Sequence, residues 1–202
     1  GAVQSNHVRQ TAAASCKFGI DSYVLLERRV VNETQNYEKT GNVFFNKMFG
    51  TKIQFRPTGL DMNEEAKLLA SKLREKGKKP YFIPGGGSNV VGSLGYVICA
   101  QELLDQIREY NINVQCIIVA TGSTGTQAGL VAGFHALGSS IPIMGISVRQ
   151  TEKNQIDAVY NLAVKTSSKF TNKNLGKEKI IVNDQYVGQG YGIPTKGTLK
   201  AT

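Results

Sequence analysis

The sequence predicts an α/β fold in two lobes, with parallel sheets flanked by helices. Two observations carry this reading. Apolar runs that do not alternate recur between segments of helical periodicity, and such runs mark parallel strands covered on both faces. The alternation is then interrupted by "PGGGSNVVGSLG" at 84–95, where five glycines fall within twelve residues and neither helix nor strand is favoured. This stretch sets the seam between a lobe over 1–84 and a lobe over 85–202.

The elements follow in order. "GAVQSNHVRQTAAAS" opens the chain with a polar cluster, Gln4, Ser5, Asn6 and His7, ahead of an Ala-rich stretch that reads as a helix running through Cys16. "SYVLLE" at 22–27 reads as a buried strand, 35–48 as a helix, "TKIQF" at 51–55 as a strand, 62–76 as a helix and "YFIP" at 81–84 as a strand. Met62, Ala66, Leu69 and Leu73 recur at helical spacing, which predicts a core-facing stripe. A second series has a helix over about 94–110, a strand "QCIIVA" at 115–120, a glycine-rich turn and a helix over about 126–137. It ends with a strand "IPIMGISV" at 141–148 and a helix over about 153–169. "NKNLGKEK" at 172–179 reads as an exposed loop, and "KGTLKAT" as the start of a further helix.

Composition narrows the function classes. A hydrophobic fraction of 41% and a charged fraction of 19% describe an ordinary globular chain. No apolar run reaches the roughly 20 residues that span a bilayer, and no signal segment opens the chain, so the expected compartment is the cytoplasm and no membrane partner is expected. Cys16, Cys99 and Cys116 are scattered and form no metal-ligand spacing, and His7 and His135 add none, so no metal site is expected. The net charge of +9 is dispersed between "REKGKK" at 74–79 and lysines at 165–179, without interleaved aromatics, which argues against a nucleic-acid partner.

Three stretches could carry chemistry. In "IIVATGSTGTQAGLVAGF" at 117–134 a strand runs into Gly122, Ser123, Thr124, Gly125 and Thr126 and then into an Ala/Gly-rich helix. A phosphate dianion wants backbone N–H donors, short hydroxyl side chains, no bulk and the positive end of a helix, and this stretch offers all four. It is neither a GxxxxGK[ST] loop nor a GxGxxG turn, which argues against a nucleoside triphosphate or a dinucleotide. A turn serving only strand-to-helix packing is the alternative. The second stretch is the opening, where Ser5, Asn6 and His7 occupy the cap and first turn of a helix whose free N–H groups would accept a carboxylate; a plain N-cap is the alternative. The third is "GQGYGIP" at 188–194, whose Tyr191 lies among glycines that leave its ring uncovered, unless it serves packing alone.

"GAVQSNHVRQTAAA", "IPGGGSNVVGSLGYV", "ATGSTGTQAGLVAGF" and "GYGIPTKGTLKA" together resemble, in order and spacing, the signatures of the pyridoxal-phosphate enzymes that comprise D-cysteine desulfhydrase and 1-aminocyclopropane-1-carboxylate deaminase. The resemblance covers nearly the whole chain, and "GGSNVVGSLGYV" is closer to the desulfhydrase pattern. It implies a fold of the tryptophan synthase β type, pyridoxal 5′-phosphate held between a small and a large lobe, and a homodimer. The implied activity is β-elimination of D-cysteine to pyruvate, ammonia and hydrogen sulfide. The alternatives are ring-opening deamination of aminocyclopropane carboxylate to 2-oxobutanoate, and a non-catalytic phosphate- or amino-acid-binding module.

Carried onto this sequence, the resemblance gives residues 122–126 the cofactor phosphate and Asn6 the pyridoxal 3′-oxygen. Ser5, with Gln4 and His7, would hold the substrate carboxylate, and Tyr191 would face the substrate, making Ser5 and Tyr191 the candidate catalytic residues. The glycine-rich seam would let the lobes close. In that family the lysine that binds the cofactor covalently precedes the QSN motif. No lysine here matches it, since Lys17 lies at the far end of the opening helix, more than two turns from its mouth. The family's later tyrosine and its substrate-discriminating residues would fall beyond Thr202. The expectation is an internal part of a longer enzyme.

Overall fold

The computed structural model describes residues 1–30, 36–190 and 192–201. The chain divides into two compact units, Gly1–Gly86 and Gly87–Thr202. The first holds α1 (Asn6–Lys17), β1 (Tyr23–Glu27), α2 (Gly41–Met48), β2 (Lys52–Arg56) and α3 (Met62–Glu75). The second holds α4 (Val90–Glu109), β3 (Ile117–Thr121), α5 (Gly125–Ala136), β4 (Ile143–Ser147), α6 (Glu152–Ser167), β5 (Ile181–Asn183) and α7 (Lys196–Ala201). The α/β class with parallel pairing is as predicted. No helix among the described residues is long and apolar enough to cross a membrane.

In the first unit β1 and β2 pair in parallel, from Tyr23↔Lys52 to Glu27↔Arg56. On the opposite edge of β1, Gly1 exchanges bonds with Leu25 and Glu27, and Ala2 bridges Glu27 in parallel. Val3, Val8, Val24, Leu26 and Val43 form the buried core of this unit. Its helices start and stop for local reasons. Ser5 caps α1, and Asp61 caps α3 by accepting from the N–H groups of Asn63 and Glu64. Helix α1 ends in a Schellman turn: Gly19 takes φ +65°, its N–H reaches the Cys16 carbonyl, and the Ile20 N–H reaches Ser15.

Two expectations fail in this unit. The helix predicted from residue 35 begins only at Gly41; residue 35 itself lies outside the described residues, and 36–40 form turns closed on the Asn36 carbonyl by Lys39 and Thr40. Gly41 has φ +58°, which an L side chain adopts only under strain, so the helical pattern cannot run through it. "YFIP" at 81–84 joins no sheet. Pro80 precedes it and Pro84 ends it, neither with an N–H donor, and its side chains instead line a cavity of about 720 Å³ with Val24, Leu69, Ala70 and Leu73. The predicted stripe of α3 faces this cavity: Leu73 is buried, whereas Met62, Ala66 and Leu69 are half-buried.

In the second unit the sheet order is β3-β4-β5, all parallel, with Ile117↔Ile143 and Met144↔Ile181 in register. Leu130, Val131, Phe134, Ile143, Val159 and Val182 lie in its core. The parallel strands are flanked by helices, as expected, and among the described residues the two faces of the sheet differ in burial. Ile117, Val119 and Thr121 turn toward the helices with Ile143, Gly145 and Ser147, while Ile118, on the other face, is 68% exposed. Helices α5 and α6 pack on each other and on α4. The seam is also shorter than predicted. A 3-10 turn covers Gly85–Gly87, and α4 begins at Val90 because the Asn89 side chain accepts from the Gly92 N–H at 2.8 Å. Strand β5, which the periodicity did not signal, is only three residues long.

Helices α4 and α5 approach closely because small residues meet at their contact. A Cβ added at Gly129 would lie 2.6 Å from the Tyr96 Cβ and closer still to the Ser93 carbonyl oxygen, and one at Gly133 would lie 2.6 Å from the Ala100 Cβ. Alanine favours a helix over glycine by about 1 kcal/mol, but overpacking a fixed contact costs about 1–3 kcal/mol. Gly129→Ala is therefore expected to lower stability in denaturant titration. A more stable variant would show that the two helices can separate freely.

Candidate functional site

The first cluster stands at the mouth of α1. Ser5 is extended, with ψ 122°, and its Oγ accepts the Val8 N–H at 3.2 Å. The hydroxyl is thus an N-cap, yet its proton is still available to donate. Asn6 is exposed, and its Oδ1 accepts from the Asn42 side-chain nitrogen at 2.8 Å. Gln4 is committed within the protein: its nitrogen donates to the Tyr37 and Thr40 carbonyls, and its Oε1 accepts the Asn42 N–H at 2.8 Å. Its place is under the helix mouth, as a tie to the start of α2.

His7 is half-buried and lines the 720 Å³ cavity. Burial lowers its pKa below the usual 6.5. Because the folded protein disfavours the imidazolium, the unfolded chain binds more protons on the acid side. His7 therefore makes the fold less stable as pH falls below 6.5, and has no such effect above it. We expect its ring resonances in an NMR titration to move at a pH below 6.5; a midpoint at or above 6.5 would contradict this environment.

The second cluster is built on the carboxyl end of β3. Thr121 closes that strand, and its buried hydroxyl accepts from Gln155 Nε2 at 2.8 Å. Gly122, Ser123, Thr124 and Gly125 then turn the chain into α5. Thr124 takes φ +77°, an unusual conformation for a β-branched residue, and its side chain does not cap the helix. The cap comes instead from Ser88, whose Oγ accepts the Gly125 N–H at 3.1 Å. The N–H groups of Thr126 and Gln127 have no acceptor among the described residues. Gln127 is buried and anchors this first turn by donating to the Ile181 carbonyl at 2.8 Å.

The loop fits a phosphate group. It combines free helix N-terminal donors, the hydroxyls of Ser123, Thr124 and Thr126, and two positions where a side chain would fill the space. A Cβ at Gly122 would lie 2.6 Å from Val148 Cγ2, and one at Gly125 would lie 3.0 Å from Ser88 Oγ. Beneath the loop is a small void of about 30 Å³, lined by Thr121, Gly122, Ser123, Thr124, Thr126 and Gln127.

Ser5, Asn6, Gln4 and His7 thus gather in the first unit, and residues 122–126 in the second. Tyr191 lies outside the described residues. Ser88, Asn42, Gln127 and Gln155 were not singled out from sequence; each acts through a contact more than thirty residues away in the chain. The three cysteines are free thiols.

A family model described as pyridoxal-phosphate dependent enzyme matches residues 1–202. Among solved structures, the chain is similar to an ACC deaminase homologue, with 29% identity and a TM-score of 0.74, over 90% of this chain and 54% of that one. It shares its fold with a hydrogen sulfide-producing enzyme from Fusobacterium nucleatum, at 16% identity and a TM-score of 0.54, over 89% of this chain and 58% of that one. A serine racemase from maize has the same fold at 17% identity and a TM-score of 0.52, over 90% of this chain and 54% of that one. The chain therefore spans about half the length of the structures it matches.

Proposed function

Since the chain belongs to the pyridoxal-phosphate dependent enzymes, we propose that the whole protein is a lyase that eliminates sulfide from D-cysteine, giving pyruvate and ammonia. The observation that carries this reading is the mouth of α1. There a capping serine with an available hydroxyl proton stands next to an outward-facing asparagine amide, so one helix turn offers donors for a carboxylate and for a ring oxygen.

Residues 122–126, with the N–H groups of Thr126 and Gln127, would hold the cofactor phosphate. Asn6 would donate to the 3′-oxygen of its ring. When bound, pyridoxal phosphate supplies an electron sink for the bond broken at the substrate Cα. Ser5 would donate to the substrate carboxylate, aided by the positive end of α1. A carboxylate gripped there cannot rotate freely, which fixes the direction of the Cα–H bond, and orientation of this kind is worth several kcal/mol. His7, kept neutral by burial, adds polarity at the helix mouth without a fixed charge. We assign Tyr191 to the substrate side on the resemblance alone, and extend the reading to a cytoplasmic homodimer.

The preference for D-cysteine rests on the "GGSNVVGSLGYV" stretch, and the likeness to an ACC deaminase homologue supports the pair of activities as a class. The test is to supply the intact, cofactor-loaded protein with each substrate. Sulfide and pyruvate from D-cysteine are expected, with little 2-oxobutanoate from aminocyclopropane carboxylate. The reverse preference would assign the deaminase activity, and no turnover of either would overturn the lyase reading.

A further inference from the structure

Asn42 lies 36 residues beyond Asn6 and follows the left-handed turn at Gly41. Its side-chain nitrogen donates to the Gln4 backbone carbonyl at 2.9 Å and to Asn6 Oδ1 at 2.8 Å. A backbone carbonyl only accepts, so the Asn42 atom facing it must be the amide nitrogen. The same nitrogen faces Asn6, and Asn6 must therefore present its oxygen there and turn its own nitrogen outward.

The arrangement is braced from behind. The Asn42 backbone N–H donates to Gln4 Oε1 at 2.8 Å, and the Gln4 nitrogen is held by the Tyr37 and Thr40 carbonyls. A Cβ at Gly41 would lie 2.5 Å from Gln4 Oε1, so the turn that delivers Asn42 needs glycine on two counts. Asn6 Nδ2 has no protein acceptor among the described residues. A donor fixed in direction and left unpaired is suited to an oxygen acceptor on a ligand.

We propose that Asn42 is a positioning residue that fixes the rotation of the Asn6 amide, so that Asn6 donates to the 3′-oxygen of pyridoxal phosphate. The proposal rests on the assignment of Asn6 made above. Asn42 touches neither cofactor nor substrate in this account; it acts by denying Asn6 the flipped orientation, which would point an oxygen at an oxygen. Its effect should therefore depend on the ring oxygen being there.

The experiment compares the affinity of the intact protein for pyridoxal phosphate and for its 3-deoxy analogue, by fluorescence titration. The native protein should prefer pyridoxal phosphate by about tenfold, the scale of one hydrogen bond to an ionised acceptor. Asn42→Asp keeps the size of the side chain and the bond from its backbone N–H to Gln4 Oε1, but a carboxylate can donate neither to the Gln4 carbonyl nor to Asn6 Oδ1 and would draw the Asn6 nitrogen inward. Asn42→Asp and Asn42→Ala should both bring the preference toward one while leaving affinity for the analogue unchanged, and Asn6→Ala combined with Asn42→Ala should lose no more preference than Asn6→Ala alone. Variants that keep the native preference, or that lose both ligands equally, would overturn the role of Asn42 while the assignment of Asn6 stands. A native protein with no preference would overturn the assignment of Asn6 and this inference with it.

Discussion

Gly125→Val is expected to abolish tight binding of pyridoxal phosphate while leaving the fold intact. The loop has no room for the side chain: its Cβ alone would lie 3.0 Å from Ser88 Oγ and 3.3 Å from Ser88 Cα, and valine adds two methyl groups beyond that. Moving the loop or Ser88 would misdirect the first N–H groups of α5. Hydrogen bonds to a charged group contribute about 1.5–3 kcal/mol each, so loss of two amounts to at least about 3 kcal/mol, or on the order of 100-fold in affinity. Titration with pyridoxal phosphate and with pyridoxal, which lacks the phosphate, separates the effects. Only the first should weaken, and circular dichroism should show the native helix content. A variant that binds pyridoxal phosphate normally would remove residues 122–126 from the site.

The second large effect is on turnover. Ser5→Ala removes both a cap and the proposed carboxylate donor, and loss of the cap alone costs about 1 kcal/mol of stability. Ser5→Asp separates the two roles, because aspartate caps a helix as well as serine and suits its positive end. It nevertheless has no proton to donate and repels a carboxylate. Ser5→Asp is therefore expected to melt close to the native temperature and to bind pyridoxal phosphate within a few-fold of native. Its kcat/KM for D-cysteine should fall on the order of 100-fold or more, as expected for loss of an oriented donor. Native kcat/KM would reduce Ser5 to a cap.

The parts of the fold legible in the sequence are those governed by local rules. Helix α6 follows from Thr151, whose hydroxyl accepts the Asn154 N–H, and from its apolar spacing; α3 follows from Asp61 in the same way. Residues 122–126 could be read as a phosphate loop because strand end, glycines, hydroxyls and helix start are adjacent in sequence. Where tertiary context decides, local reading fails. "YFIP" has strand composition but no ladder, with Pro80 before it and Pro84 at its end, and α2 starts late at Gly41, whose left-handed turn packs against the Gln4 side chain.

The same distinction applies to the site. Ser5 and Asn6 are visible as a helix start, but the partners that hold them are not. Asn42 reaches Asn6 across 36 residues, Ser88 reaches Gly125 across 37, and Gln155 reaches Thr121 across 34. The dipeptide Gly41-Asn42 reads in isolation as an ordinary turn. Gln4 is a further case: the resemblance gives it a share in holding the substrate carboxylate, and its side-chain amide is engaged with residues 37–42, which no local pattern announces.

Whether these residues build a pyridoxal-phosphate site is decided by a phosphorus NMR titration of the intact protein with pyridoxal phosphate, repeated with Gly125→Val. A distinct bound phosphate resonance is expected in the native protein at the concentration that just saturates it, and none in the variant at the same concentration. An identical bound resonance in both, or none in the native protein, would contradict this site.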